Sequence, residues 1–121
     1  MSHHILVVDD DAGIREMIEL VLESEGFSVA TAADGREALA SIAQNRPVLV
    51  LLDLQMPVMT GWETLSHLRD AHTDVPVVFM TAGYRARAEA ERCGADGYVG
   101  KPFELDNLLA VVERLASPPA R

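Results

Sequence analysis

Three short apolar runs, residues 5–8, 48–52 and 75–80, constrain this chain more than any other feature. Only Pro76 interrupts the third, and none of them alternates apolar with polar residues. A strand with one wet face alternates, whereas an unbroken Val/Ile/Leu run suits a strand covered on both faces, as in a parallel sheet between helix layers. Residues 27–32 and 97–99 are weaker strand candidates. Between them lie helical patterns. Ile14, Met17, Ile18, Val21 and Leu22 form one stripe, with Gly26 as its stop signal. Asp34 and Gly35 open a second helix carrying Ala38, Leu39 and Ile42, and Thr60 with Glu63 has capping-box spacing ahead of Leu65 and Leu68. Residues 104–116 carry Leu105, Leu108, Leu109, Val112 and Leu115 before Ser117-Pro118-Pro119. The fourth pattern, 84–93, has mostly alanine at its core positions, so it buries less apolar area and is held less tightly. Strand then helix, five times with short connections, predicts right-handed crossovers and a doubly wound α/β fold with helices on both faces.

The chain's 121 residues make one domain, 1–121, with its core in 5–116 and residues 117–121 as a tail or linker stump. Ten basic against 19 acidic residues give a net charge of -9, which disfavours direct nucleic-acid binding and anionic membranes. No apolar run approaches the roughly 20 residues of a membrane span, and the N-terminus shows no basic segment or cleavage site, so a cytoplasmic protein is expected. Cys93 is the single cysteine and reads as a small buried hydrophobe; His3, His4, His67 and His72 lack paired spacing and read as solvated.

In open parallel sheets ligands bind beyond the carboxyl ends of the strands. The residues that follow the runs are Asp9-Asp10-Asp11, Asp53, Thr81 and, after the fifth strand, Gly100-Lys101-Pro102. Three or more carboxylates, a hydroxyl and an ammonium are therefore expected on one edge. Carboxylates crowded in a partly dry cleft repel unless a cation sits among them, and hard oxygen donors with room for water suit Mg²⁺, which brings phosphoryl chemistry with it. Lys101 is the only lysine, and its place after a strand argues against a merely exposed side chain. Asp11 reads as a helix cap. Asp53, directly after an apolar strand, would be an expensive charge without a function, and is the strongest single candidate.

With these residues in place the chain resembles the receiver domain of two-component response regulators. The matching motifs are Val7-Val8-Asp9-Asp10, Leu51-Leu52-Asp53-Leu54-Gln55-Met56-Pro57, Gly61, Met80-Thr81-Ala82, Gly94-Ala95 and Lys101-Pro102-Phe103. The resemblance implies the flavodoxin-like strand order 2-1-3-4-5 of a five-stranded parallel sheet. It further implies that Asp53 accepts a phosphoryl group from a phosphohistidine of a histidine kinase or phosphotransfer protein. Asp9, Asp10, a carboxylate oxygen of Asp53 and the carbonyl of Gln55 would hold Mg²⁺, Lys101 would pair with a phosphoryl oxygen, and Thr81 would bond another. Thr81 and the aromatic Tyr98 would form the switch. The fourth helix, fifth strand and last helix would be the output face, with Arg85, Arg87 and Arg92 on or near it. Residues 13–17 and the Pro102 loop would receive the kinase. Gln55 and Gly83 stand where the family tunes hydrolytic water. The expected role is a signalling switch that catalyses its own phosphorylation and dephosphorylation, acting on a downstream protein target or a fused output domain, with dimerisation on activation left open.

Three rival functions fit the residues less well. An aspartyl phosphohydrolase would use the Asp9-x-Asp11 pair but leaves Asp53 unexplained and lacks room for a cap. A flavin carrier would place hydroxyls and amides, not three aspartates, after the first strand. A phosphorylation-independent adaptor of the same fold has no use for Asp53, Lys101, Thr81 and the acidic pair together.

Overall fold

The computed structural model describes residues 4–71, 73–82, 88, 91–92, 94–101 and 104–116. Along them run β1 (His4–Val8), α1 (Ala12–Ser24), β2 (Ser28–Ala32), α2 (Gly35–Gln44), β3 (Leu49–Asp53), α3 (Gly61–Asp70), β4 (Val77–Ala82), β5 (Gly97–Lys101) and α4 (Leu105–Leu115). All strand pairs are parallel and the sheet order is β2-β1-β3-β4-β5, as the resemblance implies. The alanine-rich pattern 84–93 falls largely outside the described residues, although Ala88, Glu91 and Arg92 are helical. Gly83, Arg85, Arg87, Cys93, Pro102, His3 and His72 also lie outside them.

The unbroken apolar runs have a direct structural cause. Successive strand side chains point to opposite faces. Leu6, Val8, Val50, Leu52, Val77 and Phe79 enter the layer formed with Ala38 and Ile42 of α2 and Leu65 and Leu68 of α3. Ile5, Val7, Leu49, Leu51, Val78, Met80 and Val99 enter the other layer, against Ile18 and Leu22 of α1 and Leu108 and Val112 of α4. Both faces are dry, so neither parity of residue has a reason to be polar.

Helix starts follow their caps. The Asp11 carboxylate accepts from the Ile14 N–H, and the Asp34 carboxylate from the Glu37 N–H. Thr60 and Glu63 form the complete capping box, which satisfies two otherwise orphaned N–H groups of α3. Gly26 sits at φ 94°, a conformation that releases the chain from α1 toward β2 at little steric cost. Strand bounds differ from the sequence reading in an informative way. β4 begins after Pro76, which has no N–H to give the ladder, yet its carbonyl still accepts from the Val50 N–H. Asp53 and Lys101 are the last residues of β3 and β5 and not the first residues of loops, because each still pairs across the sheet, with Met80 and Ala82.

His4 corrects the expectation of four solvated histidines. It opens β1 opposite Ser28, its carbonyl accepts from the Val48 N–H, and its side chain is buried, which lowers the imidazole pKa below its ordinary value. A histidine without a paired motif gave no sign of this; its place beside the first apolar run was the signal. At this trailing edge of the sheet Arg69 donates to the carbonyls of Thr73 and Val75, at 3.0 and 3.2 Å, and to Asp96, whose carboxylate also accepts from the Val77 N–H. These bonds tie the end of α3 to the starts of β4 and β5, far from the opposite edge where the acidic residues gather.

Candidate functional site

Register brings the site together. Val8 pairs with Leu52, so Asp9 and Asp53 stand side by side one residue further on, and both continue the parity that faces α1 and α4. Lys101 follows Val99 of the same layer by two residues and has the same parity. The result is an ion-pair triad. The Lys101 Nζ lies 2.7 Å from Asp9 Oδ2 and 3.4 Å from Asp53 Oδ1. Asp9 is 0% and Asp53 5% exposed, and the Lys101 side chain 19%.

Asp9 is held at every polar atom. Its N–H donates to the Ala32 carbonyl at 3.2 Å, and its carbonyl accepts from Arg15 Nη1 at 2.7 Å. Its Oδ1 accepts from the Asp11 N–H at 2.9 Å, and its Oδ2 takes the Lys101 ammonium. Asp53 Oδ1 accepts from the Gln55 N–H at 3.4 Å. Burial, and then the charge of Asp9, push the Asp53 carboxyl above the usual aspartate range despite Lys101 and the Gln55 N–H. For Lys101 burial works against the charge, but the hydrogen bond to Asp9 and the charges of Asp53 and Asp9 outweigh it, and its pKa lies above the ordinary lysine value.

Asp10 is exposed at the mouth, and one carboxylate oxygen each from Asp9, Asp10 and Asp53 lie within 4.8 Å of one another. Lys101 pairs with Asp9 and Asp53 while Asp10 adds a third carboxylate to the group, and all three ligand atoms are hard oxygens. Such a cluster fits a divalent cation and could hold one, with Asp10 on the open side where water completes the coordination. Thr81 stands one residue past Met80, the register partner of Asp53, and opposite Gly100, the residue before Lys101. It is buried. Tyr98 lies on β5 opposite Phe79 and is 40% exposed. The structure therefore brings Asp9, Asp10, Asp53 and Lys101 into one cluster, sets Gln55 and Thr81 at its rim, and places the Tyr98 ring partly in solvent.

The loop after Asp53 carries a feature that residue types alone did not disclose. The Met59 N–H donates to the Pro57 carbonyl at 2.7 Å, closing a three-residue turn with Val58 at φ 71°. A β-branched residue in this region is strained, and Val58 is 71% exposed, so packing does not repay it. Val58→Gly is expected to stabilise the protein by about 1 kcal/mol, the strain relieved less the extra chain entropy of glycine. Urea unfolding checks this, with a higher midpoint at unchanged slope; a lower midpoint would mean that the turn is not strained. Gly61, by contrast, is required. A Cβ there would lie 2.5 Å from the Asp53 carbonyl oxygen and 2.8 Å from Leu54 Cα, and the Gly61 N–H donates to the Leu54 carbonyl at 2.9 Å. α3 thus starts directly against the backbone of the strand end that presents Asp53.

Comparison with known proteins supplies the class of module to which a parallel sheet of this order, with an acidic cluster at its carboxyl edge, belongs. The chain belongs to the response regulator receiver domain family, whose model matches residues 5–113. It is 44% identical over 117 residues to the response regulator MprA of Mycolicibacterium vanbaalenii, covering 95% of this chain and 51% of that protein. It is 43% identical over 116 residues to the transcriptional regulatory protein PrrA of Mycobacterium tuberculosis, covering 94% and 50%. The chain thus spans about half the length of these relatives. Among solved structures it superimposes on the Vibrio cholerae chemotaxis protein CheY4 with a TM-score of 0.86 at 35% identity, covering 95% of this chain and 99% of that one. Receiver domains are signalling switches of two-component systems that work through phosphorylation, with a histidine kinase as partner. No helix among the described residues is long and apolar enough to cross a membrane.

Proposed function

We propose that Asp53 is the phosphoryl acceptor of this receiver domain and that Asp9, Asp10, Asp53 and the Gln55 carbonyl hold Mg²⁺ during transfer. The observation that carries this reading is the buried Asp53 carboxylate, lodged between Asp9 and Lys101 with its pKa raised. That charge is stabilised by a cation and used by transfer. An Asp53 carboxylate oxygen forms a bond to phosphorus as the bond to the donor's histidine nitrogen breaks, and the nitrogen leaves with its electron pair. When bound, the cation neutralises charge on the phosphoryl oxygens during transfer. Lys101 supplies the second positive charge and pairs with a phosphoryl oxygen, and Thr81 donates its hydroxyl to another. Attack of water on the acyl phosphate reverses the modification, with Gln55 at the rim of its approach.

The added charge, about -1.5 to -2, gives Thr81 and Lys101 a new partner in the modified state only. Movement of Thr81 toward it frees space into which Tyr98 turns, and the face that includes β5 and α4 carries the output, with Arg92 among its charges. The partners in this account are a histidine kinase or phosphotransfer protein, received at residues 13–17 of α1, and a downstream protein or fused output domain. A net charge of -9 disfavours direct DNA binding by these 121 residues, so output passes through a protein contact or a fused domain. Such a switch operates in the cytoplasm. An acyl-phosphate mimic added with Mg²⁺ is expected to change amide exchange across Thr81, Tyr98 and α4 in the native protein, and to leave these amides unchanged in Thr81→Ala. An unaltered native pattern would favour the phosphorylation-independent adaptor.

A further inference from the structure

We infer that Arg15 is a positioning residue for the cation pocket, acting through the backbone between Asp9 and Asp10; this rests on the Mg²⁺ reading above. Arg15 lies in the first turn of α1 and is partly buried. Its Nη1 donates to the Asp9 carbonyl at 2.7 Å, a short, charge-assisted bond. That carbonyl belongs to the peptide unit joining Asp9 to Asp10, so fixing it fixes the plane from which Asp10 departs. Asp9 needs no such help, since Ala32, Asp11 and Lys101 already hold its N–H and both carboxylate oxygens. Asp10 is the exposed member of the cluster, and the orientation of the preceding peptide decides whether its carboxylate reaches the other two. A guanidinium suits the task. Its planar fork loses little freedom when one N–H is committed.

Two simpler roles for the same contact have different consequences. If Arg15 only fastens α1 to the end of β1, its loss lowers stability and leaves cation affinity alone. If Arg15 acts only as a charge, its loss makes the pocket more negative, and Mg²⁺ binds more tightly. Positioning predicts the opposite sign, because partners that orient metal ligands typically change affinity 10-fold or more when removed.

The test is calorimetric titration of the full chain with MgCl₂ at pH 7, for the native protein, Arg15→Met and Arg15→Lys, with circular dichroism and urea midpoints measured in parallel. Arg15→Met is expected to bind Mg²⁺ about 10-fold more weakly, and Arg15→Lys, which keeps a charged donor, is expected to recover much of the difference. Should methionine here prevent folding, Arg15→Leu, which likewise has no donor, makes the same comparison. A folded variant whose affinity equals or exceeds that of the native protein overturns the inference while leaving the pocket's cation binding intact. Native protein that binds no Mg²⁺ overturns the pocket reading, and this inference with it.

Discussion

Replacing Lys101 by methionine is expected to cost the cation-free protein about 3–5 kcal/mol at pH 7, the penalty of leaving buried charge without its partner. The ammonium is the shared counter-ion of Asp9 and Asp53, at 2.7 and 3.4 Å, and both carboxylates are nearly inaccessible to water. An exposed pair such as Arg46 with Asp74 would lose about 1 kcal/mol or less. The pH dependence follows from the sign of the shift. The folded-state pKa of Lys101 is raised, so its contribution is complete below the ordinary lysine value and fades only as pH rises through the folded value. At pH 7 the loss is therefore full. Mg²⁺ returns part of it, because the cation replaces the missing positive charge. Urea unfolding at pH 7, with and without MgCl₂, measures both effects; a loss below about 1 kcal/mol would mean that the triad is solvated like a surface pair.

Asp53→Asn is expected to stabilise the cation-free protein at neutral pH while abolishing its phosphorylation. The Asp53 pKa is raised, by burial and then by Asp9, so its ionised form is disfavoured in the folded state. Such a group favours folding fully below its unfolded value and loses that contribution as pH rises through the folded value. The variant and the native protein should therefore melt alike in strong acid. The variant's advantage should open as pH rises through the mildly acidic range and persist at pH 7. Saturating Mg²⁺ should narrow or invert the difference, since a ligand at 100 times its Kd adds roughly 2.7 kcal/mol to the protein that binds it. A variant less stable than the native protein in the absence of cation would show that Lys101 over-compensates Asp53.

Much of this architecture was legible because the chain's local signals agree. The apolar runs at residues 48–52 and 75–80 predict two-sided burial, and the two layers on either side of β3 and β4 are the reason. Thr60 and Glu63 announce a capping box and form one. Asp9, Asp53 and Lys101 are marked by their place after apolar runs, and β1, β3 and β5 carry them to one cluster. What the residue types do not disclose depends on backbone geometry. The turn at Val58 has no glycine or asparagine to betray its positive φ. Gly61 stands in a motif, but the contact that excludes a side chain arises only when α3 meets β3. Arg15 does carry a signal in the sequence. It sits three and seven residues before Ile18 and Leu22, on the buried stripe of α1, where a charge requires a partner. The two-residue difference at the start of β4 reflects Pro76, which delays the ladder without interrupting burial of the run.

The most direct test of the phosphoryl-acceptor assignment is intact mass after incubation with Mg²⁺ and a small phosphoryl donor, for the native protein and Asp53→Asn together. The expected result is the gain of one phosphoryl group by the native protein, absent without Mg²⁺ and absent in the variant. A gain of the same mass by Asp53→Asn would place the acceptor elsewhere. No gain by the native protein, together with no binding of a stable phosphoryl mimic, would contradict the assignment and leave a receiver fold that signals without phosphorylation.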